Sequence, residues 1–167
     1  MNLIDKSDIF LSVIQTNKGI IYKIANSYCH QAEDRKDLVQ EIIVQLWKSF
    51  DNYKEQYKYS TWMYRIALNV AISFYRKENR RKDISNPLSD GIISLIDTPY
   101  EAQEDIRLLQ QFIAGLKELD KALMLLYLEE KSYREIAEII DISETNVATK
   151  IGRIKNRLKQ KFSTIKK

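Results

Sequence analysis

The chain is expected to be all-α: two small helical domains joined by a flexible linker, the C-terminal one a four-helix domain with a helix-turn-helix. Three observations predict this. Apolar residues recur at offsets of three and four, and residues 1–84 hold no alternating strand pattern. Both prolines, Pro87 and Pro99, fall in one stretch, Ser85 to Gln103, together with Gly91. Two serines, Ser132 and Ser143, stand ahead of apolar stripes separated by a tight turn.

A chain of 167 residues can bury one ordinary core or two small ones. Apolar residues are 44% and charged residues 30%, an ordinary soluble composition. The net charge of +4 matters less than its placement. Residues 1–84 carry 14 basic and 10 acidic side chains, residues 101–141 carry 5 and 10, and residues 145–167 carry 8 and none. A single cysteine, Cys29, excludes an internal disulfide, and with only one histidine, His30, no zinc cluster can be assembled. No metal, cofactor or catalytic residue is expected. No apolar run approaches about 18 residues and no secretion signal opens the chain, so a cytoplasmic protein without a membrane span is expected.

In order, Ile9, Phe10, Val13 and Ile14 predict a first helix, and Asn17 to Tyr28 continues helical through Ile20, Ile21, Ile24 and Ala25. Asp34 is the expected cap of the next helix, which runs through Leu38, Ile42, Leu46 and Phe50. Its other face shows Asp37, Gln40, Glu41 and Gln45 beside Leu38, expected to be exposed. That face either docks a basic partner helix or is solvated. Residues 51–60 alternate tyrosines and lysines with polar residues in a predicted loop. Tyr57 and Tyr59 either stack on unpaired bases or fold back onto the helices.

Thr61 can start a helix through Trp62, Ile66, Ala67 and Val70, with Arg65, Asn69 and Ser73 on one polar face. It ends in a basic run from Arg76 to Lys82 that includes Lys77, Arg80 and Arg81. Cations suit a helix C-terminus, but so many point to phosphate.

Ala102 to Leu116 and Leu119 to Leu128 are the next two helices, the second capped by Asp120. Ser132 and Glu135 make a capping box ahead of Ile136, Ala137, Ile139 and Ile140. Asp141 and Ile142 form the turn, Ser143 caps the last helix, and Val147, Ile151, Ile154 and Leu158 share one face of it. The outward face offers Asn146, Thr149, Lys150, Arg153, Lys155, Asn156 and Arg157. In a helix-turn-helix, the early residues of the second helix reach base edges in the major groove, and flanking cations meet phosphate.

Three stretches carry a family resemblance. D-R-K-D-L-V-Q-E-I-I-V-Q-L-W at 34–47, Y-S-T-W-M-Y-R-I-A-L-N-V-A-I-S-F-Y-R-K at 59–77 and Y-R-E-I-A-E-I-I-D-I-S at 133–143 resemble, in order, motifs of bacterial RNA polymerase sigma factors of the extracytoplasmic-function group. The resemblance covers about residues 10–162. It implies a region 2-like domain at 1–84, a linker at 85–103 threading near the polymerase active channel, and a region 4-like domain at 104–167. By this likeness Asp37, Leu38, Gln40 and Glu41 would dock on the clamp helices of the polymerase largest subunit. Asn69 would sit at the pocket for a flipped base of the −10 element, with Thr61, Trp62 and Arg65 in the same strand-opening region. Thr145, Asn146, Thr149 and Arg153 would face the −35 element.

The sequence departs from the family at T-N-V-A-T-K-I, 145–151, where G-T-V-K-S-R-L is common, so Ala148 replaces a cation. Ser73 replaces a frequent Asp, and Gly152 stands inside the reading helix at a cost of roughly 0.5–1 kcal/mol against alanine. No fused regulator is expected after Lys167. The implied partners are core RNA polymerase, promoter DNA in duplex and melted form, and an anti-sigma protein. Rival readings are a stand-alone DNA-binding regulator, a small nuclease and a helical adaptor. The first leaves Asn69 and the 34–47 surface without roles, and the second lacks a convergent carboxylate or histidine cluster.

Overall fold

The computed structural model describes the backbone of residues 3–81 and 100–165, and the side chains of residues 5–78 and 103–164. Regular structure among the described residues is entirely helical. The chain divides into two compact units, residues 1–86 and 87–167. Residues 85–99 of the expected linker lie outside the described residues.

The first unit holds α1 (Leu3–Tyr28), α2 (Ala32–Ser49), a 3-10 turn (Phe50–Asn52) and α3 (Tyr59–Arg81). The sequence pattern suggests two helices before Tyr28; the structure joins them across a kink at Asn17, whose φ of −117° and ψ of 17° are non-helical. Asn17 donates from Nδ2 to the Val13 carbonyl at 2.9 Å. Such short polar side chains compete with the helical backbone ladder. Phe10, Val13, Ile21, Ile24, Ala25 and Tyr28 form the buried stripe of α1. Asp34 does not cap α2. Gln31 occupies the cap position without a side-chain bond, and Glu33 and Asp34 sit in the first turn, where the helix dipole favours acids.

The third helix packs against both α1 and α2. Ala67 and Ala71 are fully buried, and their small side chains let both neighbours approach. The helix begins two residues before the expected Thr61. Lys6 ties the start of α1 to the far end of α2: its Nζ pairs with Asp51 at 2.9 Å and lies 4.3 Å from the Trp47 ring centroid.

The second unit holds α4 (Tyr100–Ala114), α5 (Glu118–Leu128), α6 (Tyr133–Ile140) and α7 (Glu144–Ile165). Tyr100 and Glu101, expected in the linker, belong to α4, as do Ala102 and Gln103, where the expected linker and helix overlap. Pro99 precedes that start, consistent with a proline's exclusion from helix interiors. Asp120 does not cap α5 either. Lys117 holds the cap position, because the helix starts before its apolar pattern does, and Asp120 joins Glu118 in the first turn.

The serine half of the capping box forms: the Glu135 backbone N–H donates to Ser132 Oγ at 3.1 Å, and the Ser132 hydroxyl in turn donates to Glu135 Oε1 at 3.4 Å. The second cap forms too, with the Asn146 N–H donating to Ser143 Oγ at 3.0 Å. Between them Asp141 takes a left-handed conformation, φ 65° and ψ 49°. Its N–H and that of Ile142 both donate to the Ala137 carbonyl, at 2.9 and 3.3 Å, which ends α6 and aims α7. Aspartate tolerates this conformation better than most side chains.

Candidate nucleic-acid and partner interfaces

Burial sets the face that α7 presents. Val147, Ile151 and Ile154 are buried and Leu158 is half-buried, as their spacing predicts. Thr145, Asn146, Thr149 and Arg153 are consequently exposed, and Lys150 is half-buried beside them. The Thr149 hydroxyl donates to the Thr145 carbonyl at 3.0 Å, leaving its oxygen able to accept. This surface combines hydroxyl, amide and guanidinium groups with no acid after Glu144.

Two cations expected on that face turn back to α5. Lys155 Nζ lies 4.3 Å from the Tyr127 ring centroid. A hydrogen bond with the Tyr127 phenol, the largest influence on Lys155, raises its pKa above the ordinary lysine value. Arg157 lies 3.7 Å from the Asp120 carboxylate. Both sit beside the buried stripe rather than opposite it, so an internal partner is within reach. Periodicity alone did not distinguish these flanks from the centre.

In the first unit, α2 carries Asp37, Gln40 and Glu41 on an exposed crest. Gln45 donates to Glu41 Oε1 at 2.9 Å, holding that carboxylate in place. Leu38, expected to be exposed, is fully buried. It faces the core with Ile42 and Leu46 at offsets of four and eight. The apolar residue that the crest does present is Val44, 43% exposed. Sequence reading missed it, although it lies seven residues after Asp37 and three after Glu41 on the same face. Removing Leu38 should therefore act on folding: Leu38→Ala should cost about 2–5 kcal/mol in urea unfolding. A Leu38→Ala chain of native stability would return Leu38 to the surface.

A groove of 770 Å³ runs between α2 and α3. Asp34, Asp37, Glu41 and Gln45 line its α2 side; Asn69, Ser73 and Lys77 line the other, with Ile66, Val70 and Phe74 also exposed to it. Thus Asn69 and the two carboxylates expected to dock a partner share one groove. Arg65, one turn before Asn69, lies with its guanidinium carbon 5.6 Å from the Tyr57 ring centroid. Arg76 and Lys77 are exposed, whereas the side chains of Arg80 and Arg81 lie outside the described residues.

The aromatic loop largely folds back. Tyr53 and Tyr59 stack with centroids 4.4 Å apart and planes at 19°. Tyr53 also meets Trp62 edge-on at 5.5 Å, and Phe50 lies 5.9 Å from Trp62. The Tyr53 phenol donates to the Tyr57 carbonyl. Burial, its largest influence, pushes the Tyr53 phenol pKa up. Trp62 and Thr61, expected on the strand-opening surface, are 9% and 7% exposed and belong to the packed interior. Tyr57 and Tyr59 remain half-buried, Tyr59 with one ring face against Tyr53.

Comparison with known proteins places both units. Residues 13–81 match Sigma-70 region 2, and residues 106–158 match Sigma-70, region 4. The chain is 26% identical to the ECF RNA polymerase sigma factor SigW of Bacillus subtilis, covering 93% of this chain and 89% of that protein. It is 30% identical to the ECF RNA polymerase sigma-E factor of Escherichia coli K12, covering 79% of this chain and 75% of that protein. Two solved structures share the fold. CnrH in complex with the cytosolic domain of CnrY has a TM-score of 0.67 at 18% identity, covering 95% of this chain and 90% of that one. The sigma factor RpoE in complex with the anti-sigma factor NepR, from Bartonella quintana, has a TM-score of 0.64 at 21% identity, covering 93% and 95%.

Proposed function

Because the chain belongs to the extracytoplasmic-function group of RNA polymerase sigma factors, and directs transcription initiation with RNA polymerase, we propose a division of labour between its two units. Residues 1–84 dock on core polymerase and hold the melted −10 strand, residues 104–167 read the −35 duplex, and residues 85–103 connect them. The observation that carries this reading is α7. Its buried isoleucines turn an acid-free row of Thr145, Asn146, Thr149 and Arg153 outward, as a major-groove helix requires.

The docking surface is the α2 crest, Asp37, Gln40, Glu41 and Val44, whose carboxylates suit a basic partner helix. Asn69 holds an unpaired base, with Arg65, Arg76 and Lys77 beside it on α3 to meet phosphates. Lys155 and Arg157 support α7 from within and reach DNA only by leaving Tyr127 and Asp120. The chain acts by binding and positioning, without catalysing a reaction itself. It works in the cytoplasm beside the polymerase; no described helix is long and apolar enough to cross a membrane. An anti-sigma protein is a third partner, as NepR is for RpoE.

Affinity and base reading separate by substitution. Lys159→Ala should weaken duplex binding about equally on all sequences and lower the salt slope by roughly 1 if it meets a phosphate. Arg153→Ala should instead change preference among −35 variants, by about 1–3 kcal/mol for a bidentate base contact. Binding titrations across a −35 variant set measure both. Equal loss on every DNA with Arg153→Ala would remove its reading role.

A further inference from the structure

Gly152 interrupts the middle of the reading helix, and nothing among the described residues accounts for it. Glycine is favoured where φ is positive, but no described glycine has a positive φ. Glycine is also favoured where another chain segment comes too close for a Cβ. A Cβ built on Gly152 meets nothing within 4 Å. The helix is therefore weakened relative to alanine without an internal return.

The surroundings of Gly152 point outside the molecule. It lies between Ile151 on the buried face and Arg153 on the exposed one. Thr149, three residues before, and Asn156, four residues after, are exposed, as is Ala148 one turn earlier. The smallest residue of the helix thus stands among the groups that face the DNA. A missing Cβ there lets the helix backbone come nearer a groove wall or base edge than any other residue would allow.

We propose that Gly152 is the point of closest approach between α7 and the −35 duplex, and that any side chain there holds helix and DNA apart. The inference rests on the reading of α7 as the −35 helix and adds a specificity-determining residue to it. Its physical signature is an opposition of signs. A change that improves the free helix should impair the complex.

Gly19 is the internal control. It too is helical, and a Cβ there also meets nothing within 4 Å, but it lies in α1, away from any reading face. Gly152→Ala and Gly19→Ala should each raise the unfolding midpoint of the unit that contains them. With the full chain bound to core polymerase, Gly152→Ala should lower affinity for a −35 duplex by about tenfold, the size of one lost base contact. Gly152→Leu should lower it further, and Gly19→Ala should leave it unchanged. Unchanged or tighter binding by Gly152→Ala, while Arg153→Ala still alters −35 preference, would overturn the inference and spare the reading helix. Unchanged binding by both variants would overturn the reading helix itself.

Discussion

Asn69→Ala is expected to abolish most promoter opening while leaving the protein folded, bound to polymerase and bound to −35 duplex. Asn69 is exposed on α3, so its loss should change stability by no more than about 0.5 kcal/mol, and alanine's better helix propensity offsets part of that. What disappears is a planar amide with two donors and one acceptor, able to match a base edge. A base left partly unpaired in a groove loses about 1–3 kcal/mol, a roughly five- to 150-fold fall in opening. The decisive control is a template already mismatched across the −10 segment. If Asn69 holds the flipped base, pre-melting should not restore full activity, because the contact is still missing. Full rescue would mean that Asn69 lowers only the cost of melting. A large folding defect would make it a structural residue.

The second large effect is expected from Glu41→Lys. The α2 crest presents Asp37 and Glu41, and Gln45 holds the Glu41 carboxylate in place. Reversing that charge against a basic partner removes one attraction and creates one repulsion, and losses of about 2–4 kcal/mol are typical of such centres. Affinity for core polymerase should fall by roughly 30- to 1000-fold on that scale. Binding of the chain itself to −35 duplex should persist, since α7 is untouched. Normal core affinity in a folded Glu41→Lys chain would move the docking surface elsewhere. Glu41 and Asn69 line the same groove, so the Glu41→Lys chain must also be tested for opening at saturating polymerase. A defect there would show that the groove serves the DNA strand as well as the partner.

Much of this was legible in the sequence because each helix carries its own instructions. Ser132 with Glu135, and Ser143 ahead of Val147, fix local bonds between neighbours, and those bonds form as the spacing predicts. The buried faces of α6 and α7 follow from offsets of three and four. What the sequence concealed depends on which groups each side chain meets once the helices pack. Leu38 reads as an exposed leucine beside acids until Ile42 and Leu46 are seen turning the same way into the core. Lys155 and Arg157 read as DNA-facing cations until Tyr127 and Asp120 come alongside them. Tyr59 reads equally as a base-stacking ring or one folded back until Tyr53 closes on it, and Trp62 reads as part of the strand-opening surface until Phe50 comes alongside it. Helix starts were misplaced for a simpler reason. Asp34 and Asp120 are acids of the first turn, and an acid there looks like a cap in sequence.

The division of labour is tested most directly by position-resolved footprinting of one duplex promoter with core polymerase and full-length chain. Protection over the −35 element and thymine reactivity over the −10 element are read from the same sample. Asn69→Ala is expected to keep −35 protection and lose −10 reactivity. Arg153→Ala is expected to weaken −35 protection, while a template pre-melted at −10 is still held. Equal loss of both footprints in both variants, with folding and polymerase binding intact, would contradict the separate roles assigned to the two units.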